Sequence, residues 1–183
     1  MTSIIKIVVI GDEKTNIQQL FPKEDPKQPS FFHTHGFQPI TIIRAIEEKE
    51  IRFQSWFLNP VDQFTEQRMT SYNGAMGALI VFDTQEPESF LSIDKWIHEI
   101  WVGAGNDIPI VIMGNRNKGV EENMKTTTIV YEYLKDLMIN EKEGILRMVY
   151  VENSLDDNKG YEEALKQLGI EYFYYLDRKH QAK

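Results

Sequence analysis

The sequence predicts an α/β protein in which a six-stranded, mostly parallel sheet forms the middle layer of a three-layer sandwich. Three observations lead there. Short apolar runs alternate with longer amphipathic stretches, and the runs are apolar at nearly every position, as strands covered on both faces require. One pair of strand-like runs is separated only by a short polar tip, which adds an antiparallel hairpin at the sheet edge. The chain has 183 residues, 42% hydrophobic and 11% aromatic, enough for one domain with a buried core.

The elements follow in order. Ile4–Ile10 (IIKIVVI), Ala78–Phe82 (ALIVF), Ile108–Met113 (IPIVIM) and Leu146–Val151 (LRMVYV) are too short for helices and read as buried strands. Ile40–Ile46 and Ile51–Trp56 flank Glu47–Glu50 and form the hairpin. Glu86–Trp101 carries Phe90, Ile93, Trp96, Ile97 and Ile100 at helical spacing, and Thr126–Ile139 carries Ile129, Tyr133, Leu134, Leu137 and Met138 in the same way. Gly160 to about Tyr175 predicts a closing helix through Ala164, Leu165, Leu168 and Phe173, with Gly169 weakening its middle by about 1 kcal/mol relative to Ala. Three prolines between Pro22 and Pro29 exclude regular structure and predict a surface loop.

The first strand runs into IGDEKTNIQQL (Ile10–Leu20): glycine, a short polar loop, Lys-Thr and a helical start. That order suggests a phosphate site, in which backbone N–H groups, a Lys and a Ser/Thr hydroxyl hold phosphates and magnesium, usually as GxxxxGK[ST]. If Lys14 and Thr15 fill those roles, the arc is about three residues short, and Asp12 and Glu13 stand where phosphate oxygens approach. An ungapped alignment instead puts Asn16, Ile17 and Gln18 in the places of Gly, Lys and Ser. The competing reading is that Gly11 ends the strand and Asp12 or Thr15 caps a helix.

Further along, THG (Thr34–Gly36), IRFQSW (Ile51–Trp56), YNGAMGALIVFD (Tyr72–Asp83) and SFLSIDKWIHEI (Ser89–Ile100) precede GNRNK (Gly114–Lys118) and ENSL (Glu152–Leu155). Together these segments resemble the Rab branch of the Ras-like small GTPases, with their TIG, YRGAMG, GNKxD and ETSA motifs. The resemblance implies the P-loop small GTPase fold over residues 1–176, with 177–183 as a short polar tail. It carries over a nucleotide site made of Gly11, Lys14, Thr15, Thr34, Asn115 and Ser154. It also carries over a switch-like surface for protein partners, on which Phe53, Trp56, Phe57 and Tyr72 are the candidate contacts. A competing role for Trp56 is to cover the edge of the hairpin.

The residues on which the family's chemistry depends are replaced. Where the family has DTAGQE, this chain reads Phe57-Leu58-Asn59-Pro60-Val61-Asp62. Phe57 cannot order a magnesium-bound water, Pro60 has no N–H for a γ-phosphate, and Val61, at the place of the water-positioning Gln, has no polar atom. Lys118 replaces the Asp that accepts from guanine and can only donate. The expectation is a pseudo-GTPase: a protein-interaction module with impaired or absent GTP binding and hydrolysis, no catalytic residue and no cofactor. The alternative is a divergent nucleotide switch in which Lys14 and Thr15 still seat GTP or GDP with magnesium and hydrolysis is slow or assisted.

Composition narrows the remaining classes. A formal charge of -8 and a pI near 5.1 disfavour nucleic acid and anionic membrane surfaces as partners. The chain has no Cys, which excludes disulfides, thiolate metal sites, a thiol nucleophile and a prenyl or palmitoyl anchor on cysteine. MTSIIKIVVI lacks the features of a signal peptide or a membrane span, so a cytoplasmic location is expected. His33 and His35 in FFHTHGF have zinc-compatible spacing but no evident third ligand, and no metal site is assigned.

Overall fold

A computed structural model describes residues 3–15, 17–21, 31–119, 128–133, 135–136 and 148–181. Its strands are β1 (Ser3–Gly11), β2 (Phe37–Ile46), β3 (Lys49–Leu58), β4 (Gly77–Asp83), β5 (Ile110–Arg116) and β6 (Met148–Ser154). They form one six-stranded sheet in the order β2-β3-β1-β4-β5-β6. Every neighbouring pair is parallel except β2 and β3. The expected edge hairpin is therefore present. Its turn is tighter than the polar tip suggested: Ile46 pairs with Lys49, leaving only Glu47 and Glu48 between the strands. Both have positive φ, 48° and 63°, the signature of a type I′ turn.

The helices are α1 (Phe31–His35), α2 (Thr65–Tyr72), α3 (Pro87–Leu91), α4 (Ile93–Ala104), α5 (described at 128–133 and 135–136) and α6 (Lys159–Gln181). Alternation along each strand sends side chains to two cores. Ile5, Ile7 and Val9 pack with Ile51, Phe53, Leu79 and the α6 residues Ala164, Leu165 and Leu168. Val8, Ile10, Ala78, Ile80 and Phe82 pack on the other face with Tyr72, Trp96, Ile97 and Ile100. Each fully buried Val, Leu, Ile or Phe among them contributes about 1.5–3 kcal/mol, and strand β4 is buried along its whole length.

Three expectations change in detail. The Glu86–Trp101 helix is divided at Ser92, whose hydroxyl donates to the Asp12 carboxylate at 2.6 Å. Among the described residues β1 runs into two 3-10 turns, Glu13–Thr15 and Ile17–Leu20, and the Asp12 side chain that was to cap a helix is drawn to α4 instead. Helix α6 continues to Gln181, past Tyr175 and into the stretch read as a tail. Gly169 is where α6 lies close to the hairpin, since a Cβ there would stand 2.5 Å from Ile46 Cδ1 and 2.9 Å from Ile51 Cδ1. The Pro22–Pro29 loop and both ends of the Thr126–Ile139 helix lie outside the described residues. No helix among the described residues is long and apolar enough to cross a membrane.

Candidate functional site

The candidate residues gather beyond the carboxyl ends of the strands, where open α/β sheets bind ligands. Gly11 ends β1 so close to β4 that a Cβ would stand 2.3 Å from the Val81 carbonyl oxygen. Only glycine fits there. The next residue, Asp12, accepts from Ser92 Oγ at 2.6 Å and from the Trp96 indole N–H at 3.1 Å. Lys14 donates to Glu88 at 2.8 Å and lies 3.7 Å from Glu86. The hydrogen bond to Glu88 raises the Lys14 pKa, and the same contact lowers that of Glu88. Both groups are exposed, so this pairing adds little to stability. Thr15 is only 2% exposed, and its hydroxyl has no hydrogen-bond partner among the described residues.

A cavity of about 210 Å³ opens beside this turn, lined by Asp12, Glu13, Gln18, His33, Asn59 and Pro60 among others. Two carboxylates on its wall repel an anion, and Lys14 is not part of the lining. His33 Nε2 is hydrogen-bonded to the Gln18 amide nitrogen at 3.0 Å, and Thr34 Oγ1 lies 2.7 Å from His35 Nδ1. Both histidines thus have local partners. No group of three or more potential ligands for a metal ion occurs among the described residues.

Further along the same end of the sheet, Asn115 and Asn153 face each other across β5 and β6. Asn153 Nδ2 donates to Asn115 Oδ1 at 2.8 Å, and the Tyr161 amide donates to Asn153 Oδ1 at 3.0 Å. The Asn115 acceptor is therefore already engaged within the protein. Ser154 Oγ donates to Asp156 at 3.1 Å. Lys118 and Leu155 line a cavity of about 490 Å³ together with Arg44, Asp156, Asp157 and Glu162. The Glu162 pKa is held low by its hydrogen bond with Arg44.

The segments that follow α1 and β3 are tied to each other by side chains the sequence reading did not single out. Asn59 donates from its backbone N–H to the Gly36 carbonyl at 2.8 Å and from Nδ2 to the Phe32 carbonyl at 3.0 Å, and its Oδ1 accepts from the Val61 amide at 3.1 Å. Gly36, at φ +79°, packs under the Phe64 ring. Arg68 is 1% exposed. It donates to the carbonyls of Asn59 (3.0 Å) and Val61 (2.8 Å), to Thr65 Oγ1 (3.1 Å), and by two bonds of 2.7 and 3.2 Å to Glu99 on α4. Tyr72 donates to the same carboxylate at 2.9 Å, and burial raises its pKa far above the usual tyrosine range. The guanidinium also stands over the Trp96 ring, 5.5 Å from its centroid. A charged residue at an otherwise core-facing helical position was the available signal for Arg68.

Residues 6–172 match the family model described as Ras family. The chain belongs to the Ras family. Its relatives place it in the Rab branch. It is 25% identical to the Ras-related protein RABA4b of Arabidopsis thaliana over 98% of this chain and 77% of that protein. It is 24% identical to Rab11D of Nicotiana tabacum over 98% and 78%, and 28% identical to Rab-11B of Dictyostelium discoideum over 94% and 74%.

Within this Rab-like chain, the switch-like segments are α1 with Thr34–Gly36, and Phe57–Tyr72. Phe57 is fully buried, with the Phe21 ring 4.7 Å away edge-on and Tyr161 at 6.4 Å. Aromatic rings thus fill the neighbourhood of the residue that orders magnesium in the family. This burial corrects the expected interaction surface. Phe53, Phe57 and Tyr72 have no exposed area and cannot touch a partner, because alternation along β3 turns Phe53 and Phe57 to the α6 side and Tyr72 lies under α4. Trp56 does reach the surface, stacked on Phe37 at 5.1 Å with Lys6 Nζ 4.5 Å from its ring centroid. Phe57 and Pro60 offer no ligand or N–H to a magnesium-bound triphosphate, and Asp12 and Glu13 carry charge of the same sign as its phosphates.

Proposed function

We propose that this chain is a Rab-like pseudo-GTPase, a cytoplasmic protein-interaction module whose switch-like surface is held in one conformation without GTP. A single observation carries the reading: Asn59 joins the second switch segment to the first through the Phe32 and Gly36 carbonyls, and Arg68 fastens the second to α4 through Glu99, protein groups doing what γ-phosphate and magnesium do in the active family. Phe57, Pro60 and Val61 support it by removing the ligand, the N–H donor and the water-orienting group. The engagement of Asp12, Lys14 and Asn115 by other residues supports it further, since a nucleotide must displace those bonds.

A second reading, a divergent nucleotide switch, is favoured by one feature. Thr15 keeps a buried, unpartnered hydroxyl at the family's magnesium-ligand position. The two readings separate in two measurements. Chromatography of small molecules released from the freshly purified, denatured protein is expected to yield no guanine nucleotide. Thermal melting with magnesium and millimolar GTP is expected to show no shift. Ligand at 100 times Kd would add about 2.7 kcal/mol, or about 5–10 °C for a chain of this size. Stoichiometric nucleotide, or a shift of that size, overturns the pseudo-GTPase reading.

A further inference from the structure

We propose that Asn73 is a site of spontaneous deamidation, where the chain converts its own amide to aspartate or isoaspartate and, through the isoaspartate, loosens the end of α2. The inference stands whichever reading of the nucleotide site holds. Tyr72, Asn73, Gly74 and Ala75 close α2 with a type II turn. Asn73 has φ -58° and ψ 125°, Gly74 has φ +73°, and the Ala75 N–H donates to the Tyr72 carbonyl at 3.0 Å. The third position of such a turn demands a residue at ease with positive φ, hence glycine, whereas the second needs only negative φ. Asparagine in front of that glycine, where the YRGAMG motif has Arg, is this chain's own departure. It makes the one Asn-Gly pair in the sequence.

The chemistry needs only this pair and water. The Gly74 amide nitrogen attacks Asn73 Cγ, the Cγ–Nδ2 bond breaks, and ammonia leaves with the proton from that nitrogen, closing a succinimide ring. Water opens the ring at either carbonyl, giving aspartate or isoaspartate. Glycine leaves the attacking nitrogen uncrowded, and no atom lies within 4 Å of the place a Cβ would take at Gly74. Asn73 is exposed, and its side-chain amide has no hydrogen-bond partner among the described residues. Its ψ must rotate to bring the nitrogen to Cγ, and an exposed turn opens at little free-energy cost. By contrast, Asn59, Asn115 and Asn153 are buried, while Asn106, Asn117 and Asn158 precede Asp, Lys and Lys. The turn is tied to β1, since Lys6 Nζ donates to the Asn73 carbonyl at 2.8 Å and the Met76 N–H to the Lys6 carbonyl at 2.8 Å. Aspartate leaves that main chain unaltered. Isoaspartate turns the carbonyl held by Lys6 into a carboxylate and reroutes the chain through Cβ and Cγ, one atom longer.

The test incubates the full chain in mildly alkaline buffer, where the Gly74 nitrogen gives up its proton more readily, and follows each asparagine by peptide mass spectrometry. An isoaspartyl carboxyl methyltransferase serves as the probe that separates the two products. Asn73 is expected to convert before any other asparagine, giving isoaspartate as well as aspartate, at a rate within about tenfold of that in urea. Asn73→Gln should lose the methyltransferase signal and keep its fold, because the residue is exposed and its side chain holds nothing. The isoaspartyl form, once separated, should melt below fresh protein, whereas Asn73→Asp should melt with it. The proposal is overturned by another asparagine converting first, by native conversion more than about tenfold slower than in urea, by a signal that survives Asn73→Gln, or by an isoaspartyl form that melts with fresh protein.

Discussion

Replacing Arg68 by Ala tests whether the protein itself fastens its switch segment. The guanidinium is 1% exposed and Glu99, its partner, has a side chain 14% exposed. Truncation leaves a largely buried carboxylate without its cation, a loss of about 3–5 kcal/mol. The carbonyls of Asn59 and Val61 lose their Arg68 donor as well, which sets the effect toward the upper end of that range. For a chain of this length the melting temperature should fall by about 6–20 °C. Removing both charges while keeping volume, as in Arg68→Met with Glu99→Leu, leaves no orphaned ion and should recover more than half of the loss. Urea unfolding measures both variants, and hydrogen exchange at residues 59–64 reports whether the loss begins in the segment. A cost for Arg68→Ala below about 1 kcal/mol, or unchanged exchange at 59–64, refutes the clamp.

Two further outcomes follow from local geometry. Glu47→Asn with Glu48→Gly relieves two residues held at positive φ and should stabilise by about 1–2 kcal/mol in urea unfolding; a neutral or negative change means that the turn is not strained. Burial raises the pKa of Tyr72 and of Tyr161 above the unfolded value near 10. Unfolding releases those protons above that pH, so stability is full below pH 10 and lost as pH rises past it, by up to about 1.4 kcal/mol per pH unit per tyrosine. Equilibrium unfolding between pH 9 and 11 should show that decline, and Tyr72→Phe should reduce its slope.

The fold was legible because its signal is dense: apolar strands of the right length, a hairpin and helices in alternation. What the sequence concealed was local. Ser92 splits a helix because its hydroxyl is needed by Asp12 across the sheet end, a contact between positions about eighty apart that no window of periodicity contains. The replaced motif residues Phe57, Pro60 and Val61 were readable one by one, since each loss is a property of its side chain. The clamp made by Asn59 and Arg68 was not readable, because a clamp is defined by which carbonyls a guanidinium reaches. The surface assignment failed for the same reason in reverse. Phe53, Trp56 and Phe57 are neighbours in sequence, but the two-residue period of a strand puts Trp56 on one face and both phenylalanines on the other.

The clamp also fixes what a partner can do. In a nucleotide-dependent switch, loss of the ligand removes the contacts that hold the loops, so the open form becomes populated. On the proposed reading those contacts come from the chain's own side chains, which cannot diffuse away. Opening the segment breaks all of them together, and a protein that recognises the open form must prefer it by at least the corresponding factor to move the equilibrium. A partner that recognises the closed form meets no such penalty. On the proposed reading, selection among partners falls to the exposed side chains around the clamp, with Trp56 and Phe37 at the rim, rather than to a change of state.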